Sequence, residues 1–199
     1  MQIVSLILAG GNSSRMGSDK AQLPWRGQTL LSHVVQVAQG VTEVCHVITP
    51  WPERYRSQVA GAVFLLETEP GQGPLVGFAQ GLAAIAPTYP QLDWLLLLAC
   101  DLPYLEVALL QRWGQQLETV DAALLAMVPY HNDRWEPLCA FYRPTIFPAL
   151  KQAIAQNQRS FQTFLSTLPC QPLTLPPEQH LMLCNCNTPA DWQGVHDQH

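Results

Sequence analysis

Two adjacent glycines, Gly10 and Gly11, precede Arg15 and Lys20 in the stretch LAGGNSSRMGSDKAQL, which carries one of only two lysines in the chain. Glycines let a ligand come close to the backbone, and successive N–H groups in such a loop can face anionic oxygens. Arg15 offers a planar fork to phosphate oxygens, and Lys20 offers a compact charge. A cation about 4 Å from a phosphate charge is worth roughly 4 kcal/mol at an effective dielectric near 20, so two of them bear on both binding and reactivity. The stretch is not a G-x-x-x-x-G-K-[ST] loop, because Lys20 follows Asp19 and precedes Ala21, nor is it a G-x-G-x-x-G fingerprint. Taken alone it reads equally as an anion site or as a glycine turn with solvated charges.

Two carboxylates extend that chemistry. Asp101 ends the run LLLLAC and precedes Leu102-Pro103. Beside a proline, such an aspartate caps a turn. Facing phosphates, it is a natural Mg²⁺ ligand, since Mg²⁺ binds through one or two carboxylates together with substrate phosphates. Glu67 follows the run VFLL. Near the C-terminal end, Asn185 and Asn187 alternate in NCNTP, so that in an extended segment both amides point to one face, with Cys184 and Cys186 on the other. They read either as turn and capping amides or as ligand contacts.

The elements that must position these groups follow from hydrophobic patterning. Short apolar runs recur at 3–8, 46–49, 63–66, 95–100 and 122–128, and stretches with helical spacing lie at 30–38, 74–86, 105–117 and 145–155. Continuous apolar strands alternating with helices predict an α/β three-layer fold with a mostly parallel sheet covered on both faces. In such a sheet, ligands sit beyond the C-terminal ends of the strands. The 8–20 loop, Glu67 and Asp101 all fall at such ends, which favours the ligand readings over the turn readings. Pro74 after Gly73 suits a first helical position. Thr188, Pro189 and Asp191 in NTPADW resemble a cap, first-turn proline and third-position acid. The proline-rich 169–177 predicts an extended or irregular surface segment. No linker divides the chain, so 1–199 is expected to be a single domain.

Bulk properties set the remaining bounds. The chain has 199 residues, 48% of them hydrophobic and 13% charged, which is enough for a full core. A net charge of −5 argues against a nucleic-acid or membrane-surface binder. MQIVSLILAGG has no basic residue ahead of its apolar run and reads as a buried strand rather than a signal peptide. The apolar run at 94–100 is too short to span a bilayer. Six cysteines fit no zinc module, and Cys100 and Cys139 read as reduced buried thiols in a cytoplasmic setting.

LAGGNSSRMGSDKAQLPWRGQTLL, EPGQGPLVGF, ACDLPYL, EPLCAFYR and NCNTPADW together resemble the ordered motifs of the molybdenum cofactor guanylyltransferase family, from about Ile3 to Trp192. The resemblance implies a Rossmann-like nucleotidyltransferase fold. It also implies transfer of GMP from GTP to molybdenum-loaded molybdopterin, giving the guanine dinucleotide and pyrophosphate. Leu8, Ala9, Gly10 and Gly11 would hold the nucleotide, Arg15 and Lys20 the triphosphate, and Asp101 the Mg²⁺. Glu67 stands where the family usually has an aspartate, and Asn185 and Asn187 would meet the acceptor. GTP and molybdenum-molybdopterin are the implied partners, with room for transient contact with other cofactor-biosynthesis proteins.

An acceptor phosphate oxygen is already anionic near neutral pH and needs no general base. Accordingly, none of the six histidines falls in these motifs. Catalysis would rest on alignment and charge neutralisation by Lys20, Arg15 and the metal. Rival readings are cytidylyl transfer, transfer to a sugar phosphate on the same fold, or a non-catalytic nucleotide- or cofactor-binding module. Trp94, Trp113 and Trp135 are expected to pack or lie at the surface rather than stack bases. Glu136 is expected to be a solvated charge or a neighbour of the acceptor cleft.

Overall fold

In the computed structural model, which describes residues 1–11, 19–186, 188 and 191–192, the first apolar run forms β1 (Ile3–Leu8). A small hairpin follows, β2 (Pro24–Trp25) and β3 (Gln28–Thr29), and it leads into α1 (Leu30–Gln39). Next come β4 (Cys45–Thr49), α2 (Pro52–Arg56), β5 (Ala62–Leu66), α3 (Pro74–Ile85) and β6 (Trp94–Ala99). The second half contains α4 (Val107–Gln116), β7 (Ala126–His131), β8 (Arg134–Trp135) and β9 (Cys139–Tyr142). It continues with α5 (Phe147–Ala155), α6 (Phe161–Leu165) and β10 (Cys170–Leu173).

The main sheet runs β10-β7-β9-β6-β1-β4-β5, with β8 paired to β7. β1 is parallel to both β4 and β6, and β4 is parallel to β5. β9 is the exception, running antiparallel between β6 and β7. The register places Leu65, Ile48, Leu8 and Ala99 in one row across four strands. The segments that follow those strands therefore emerge along a single rim.

Both faces of the sheet are covered, which is why the strands are apolar without alternation. One face packs Ile7, Leu96 and Leu98 against Val34 of α1 and Leu109 of α4. The other packs Leu6, Leu95 and Leu97 against Phe78 of α3, Leu150 of α5 and Phe161 of α6. These residues are essentially without solvent exposure, and truncating one of them to Ala would cost about 2–5 kcal/mol. α3 lies close to β1 at Gly81, where an added Cβ would overlap the Leu6 side chain.

Local signals match the elements well. Pro74 opens α3, and Thr188 and Asp191 cap each other reciprocally, the Thr188 N–H donating to Asp191 at 2.8 Å and the Asp191 N–H to Thr188 Oγ1 at 3.1 Å. The proline-rich 169–177 supplies β10, the edge strand, where Pro172 removes no needed ladder bond. The run at 122–128 becomes strand only from Ala126. The reason is local: Asp121 Oδ1 accepts from the Ala123 N–H at 2.8 Å and holds the chain in a turn. No helix among the described residues is long and apolar enough to cross a membrane.

Candidate functional site

The rim set by the strand register borders a cavity of about 460 Å³, within the range for small-ligand sites. Leu8, Ala9, Gly10 and Gly11 line it from the end of β1, Glu67 from the end of β5, and Asp101 from the end of β6. Lys20 lines it too, as does Asn185 from the C-terminal segment. Of the expected site residues, Arg15 and Asn187 lie outside the described residues; all the others meet in this one cavity. Among its described lining residues there is no histidine.

Lys20 Nζ donates to Asp101 Oδ2 at 2.9 Å, and both side chains are largely buried, at 16% and 11% exposure. Lys20 begins a short 3₁₀ turn (Lys20–Gln22) capped by Asp19, whose Oδ1 accepts from the Ala21 N–H at 3.1 Å. The other oxygen of Asp19 accepts from the buried Tyr55 hydroxyl at 2.7 Å and from Arg54 at 3.1 Å. Burial and the neighbouring Asp19 carboxylate push the Tyr55 hydroxyl well above its ordinary range, so it stays a donor. α2 thus anchors the turn that carries Lys20. Neither Asp19 nor Tyr55 stands out as a functional residue in the sequence, because their contact joins positions 36 apart.

Glu67 faces the opposite side of the cavity. Its N–H extends the ladder by donating to the Thr49 carbonyl at 2.9 Å. Its carboxylate is buried, and desolvation raises its pKa above the usual carboxylate range. Among the described residues, none donates a hydrogen bond to it. It packs so closely on Gly10 that a Cβ there would overlap the carboxylate. The glycine at position 10 therefore makes room for Glu67 as much as for a ligand. A buried carboxylate without a donor is a strong acceptor for a ligand's N–H groups.

The C-terminal segment meets the site at Asn185, which lines the cavity. The Cys186 N–H donates to the Asp101 carbonyl at 3.0 Å. Cys186 itself is buried with Leu23, Trp25 and Leu30, against which Tyr104 and Trp192 pack. The Trp25 ring lies 5.8 Å from Tyr104 and 5.9 Å from Trp192 between centroids. Cys184, by contrast, is exposed, and among the described residues no group of three or more His, Cys, Asp or Glu side chains could hold a metal ion. Asp101 lines the cavity beside Lys20, and a carboxylate so placed is of the type that can share a divalent cation with phosphate oxygens.

Trp94 and Trp113 are core residues, at 1% and 4% exposure, with the Arg143 guanidinium over the Trp94 ring. Neither can stack a base. Trp135 and Glu136 instead line a small cavity that adjoins the main one.

The sequence profile of the MobA-like NTP transferase domain family matches residues 5–170. A probable molybdenum cofactor guanylyltransferase from Trichormus variabilis is 44% identical over 189 residues, covering 95% of this chain and 88% of that protein. A probable molybdenum cofactor guanylyltransferase from Synechococcus elongatus is 42% identical over 198 residues, covering 98% of each. Among solved structures, molybdopterin-guanine dinucleotide biosynthesis protein A from Archaeoglobus fulgidus has a TM-score of 0.80 at 21% identity, covering 98% of this chain and 100% of that one. A protein from Mycobacterium tuberculosis, solved as a manganese complex, has a TM-score of 0.70 at 18% identity, with full coverage of both chains. At these identities the two structures speak to the shared fold.

Proposed function

The chain belongs to the MobA-like NTP transferase domain family, and from that premise we propose that it transfers GMP from GTP to the terminal phosphate of molybdenum-loaded molybdopterin. A phosphate oxygen of the acceptor attacks the α-phosphorus of GTP. A new P–O bond forms, the bond to the bridging oxygen toward the β-phosphate breaks, and pyrophosphate leaves with its electrons. No proton needs to move in this step. Arg15 and Lys20 neutralise the triphosphate and the charge that grows on the leaving group. Asp101 would hold Mg²⁺, which when bound supplies further neutralisation of phosphate charge; a lone carboxylate beside incoming phosphates fits the habit of that ion.

The observation that carries the reading is the placement of two unlike groups in one cavity, the Lys20–Asp101 pair and the donor-free carboxylate of Glu67. Guanine presents a ring N–H beside an exocyclic amino group, and a carboxylate accepts from both. Cytosine sets its amino group beside a bare ring nitrogen, whose lone pair a carboxylate repels. Glu67 therefore supports GTP over CTP. In this reading residues 1–199 act as one catalytic domain, because the Cys186–Asp101 bond ties the C-terminal segment to the sheet. All six cysteines are free thiols, which supports a reducing cytoplasmic setting.

The test is pyrophosphate release with GTP, CTP, ATP and UTP in turn, with molybdenum-loaded molybdopterin as acceptor and with Mg²⁺, Mn²⁺ or chelator. Release with GTP, lost on chelation, is expected. Release with CTP would keep the mechanism and overturn the base. No release with any nucleotide from folded protein would leave a binding module.

A further inference from the structure

The small cavity has a volume of about 170 Å³ and shares Leu138 and Asn185 with the main one. That volume falls below the usual range for a whole ligand and suits a single ring system. Its wall is built by the β7–β8 hairpin, turned through Asn132 and Asp133, both at positive φ (47° and 56°), as a tight two-residue turn requires. Gln162 of α6 then clamps the hairpin. Its Oε1 accepts from the Trp135 N–H at 3.0 Å, and its Nε2 donates to the Trp135 carbonyl at 2.7 Å. Tyr130 supports the Trp135 ring at 4.6 Å between centroids. The backbone leading into Glu136 is thus held from both sides, and the Glu136 N–H donates to the Pro129 carbonyl at 2.9 Å.

Glu136 lines this cavity half-buried, with its side chain 31% exposed. His131 Nε2 stands 3.7 Å from Glu136 Oε1, beyond hydrogen-bond reach. Among the described residues none donates to its carboxylate. Burial raises its pKa above the usual carboxylate range, with Arg134 acting the other way. A fixed, part-desolvated acceptor in a ring-sized slot calls for a flat heterocycle with an N–H beside an amino group.

A pterin carries that edge, and it is the same 2-amino-oxo-pyrimidine edge that guanine offers to Glu67. We propose that the small cavity seats the pterin ring of the acceptor, with Glu136 accepting from its ring N–H and 2-amino group. This rests on the guanylyl-transfer reading and assigns its acceptor end. From that seat the rest of the acceptor passes Asn185 into the main cavity, where Lys20 and Asp101 lie. Each end of the product then meets its own carboxylate.

The experiment is a fluorescence titration of the full chain, saturated with GTP to fill the main cavity, with 6-hydroxymethylpterin and with 6-hydroxymethyllumazine. Lumazine replaces the 2-amino donor with a carbonyl oxygen, which faces a carboxylate unfavourably. At least tenfold tighter binding of the pterin is expected, with the preference lost in Glu136→Gln and the KM for GTP unchanged in that variant. Equal binding of the two rings, no pterin binding to folded protein, or pterin binding that GTP abolishes would each overturn the assignment. The wild-type ring comparison stands even if the variant does not fold. Failure of GTP-dependent pyrophosphate release alongside a retained pterin preference would sink guanylyl transfer and leave the Glu136 site in place.

Discussion

Glu67 and Glu136 are two carboxylates of the same type, each lacking a donor among the described residues and each raised in pKa by burial, yet they are held by different means. Glu67 sits at the end of a parallel strand, and the register that levels β1, β4, β5 and β6 fixes its place to within one residue. Glu136 hangs on a two-stranded hairpin that Gln162, reaching across from α6, clamps through two hydrogen bonds. The first pocket is a consequence of the sheet; the second is added to it by side chains. The Lys20–Asp101 pair shares the main cavity with Glu67, and in the proposed reading it serves the reaction and neither ring site. That division predicts that lesions at the pair, at Glu67 and at Glu136 should separate cleanly in kinetics.

The largest break of this comparison is Lys20→Ala. Removing one charge-stabilising donor typically costs about 10²–10³-fold in turnover, and that loss is expected here, whichever base or ring fills the flanking pockets. The partner Asp101 lines the cavity rather than the closed core, so the melting temperature should fall only ~2–4 °C, the shift that about 1 kcal/mol makes in a chain of this size. Steady-state kinetics beside a thermal melt would check both. A collapse of stability matching the loss of activity would make Lys20 structural and remove the common centre from the comparison.

Gly10→Ala sharpens the contrast between the two pockets. Its Cβ would occupy the space of the Glu67 carboxylate, forcing that group away from the base while leaving the hairpin untouched. Losing hydrogen bonds to a charged acceptor, worth ~1.5–3 kcal/mol, should raise the KM for GTP about tenfold to a hundredfold. The KM for the acceptor should stay within twofold. A parallel rise in both would mean that the two pockets are one coupled site.

The two halves of the comparison were not equally legible from the sequence. Leu95, Leu96, Leu97 and Leu98 are all fully buried, and a strand covered on both faces must be apolar at every position, so the parallel core and its rim could be read directly. Asp101 and Glu67 inherited their positions from that rim. The Thr188–Asp191 cap was equally plain, because both partners lie within one turn. Glu136 was visible as a charge before a proline, but its cavity depends on Gln162, 27 residues from Trp135, and no local pattern encodes that meeting. The late start of β7 was missed for a smaller reason, a side-chain bond from Asp121 that outcompeted an apolar run.

Tyr55→Phe probes the least visible part of the site and carries the smallest expected effect. The ring remains in its buried slot, at 1% exposure, so packing is preserved and only the hydroxyl bond to Asp19 is lost. Arg54 and the Ala21 N–H still hold Asp19, and the net cost should be about 1 kcal/mol. If that bond serves to aim Lys20, the cost will fall on catalysis: a roughly fivefold rise in the KM for GTP, with the pterin preference over lumazine unchanged. If it serves only the fold, the melting temperature will drop by a few degrees while both Michaelis constants hold. The first outcome would extend the nucleotide half of the comparison to α2, making it a pocket built from a side-chain clamp as well as a strand end. The mechanical difference between the two halves would then be one of degree, with Tyr55 doing for Lys20 what Gln162 does for Glu136.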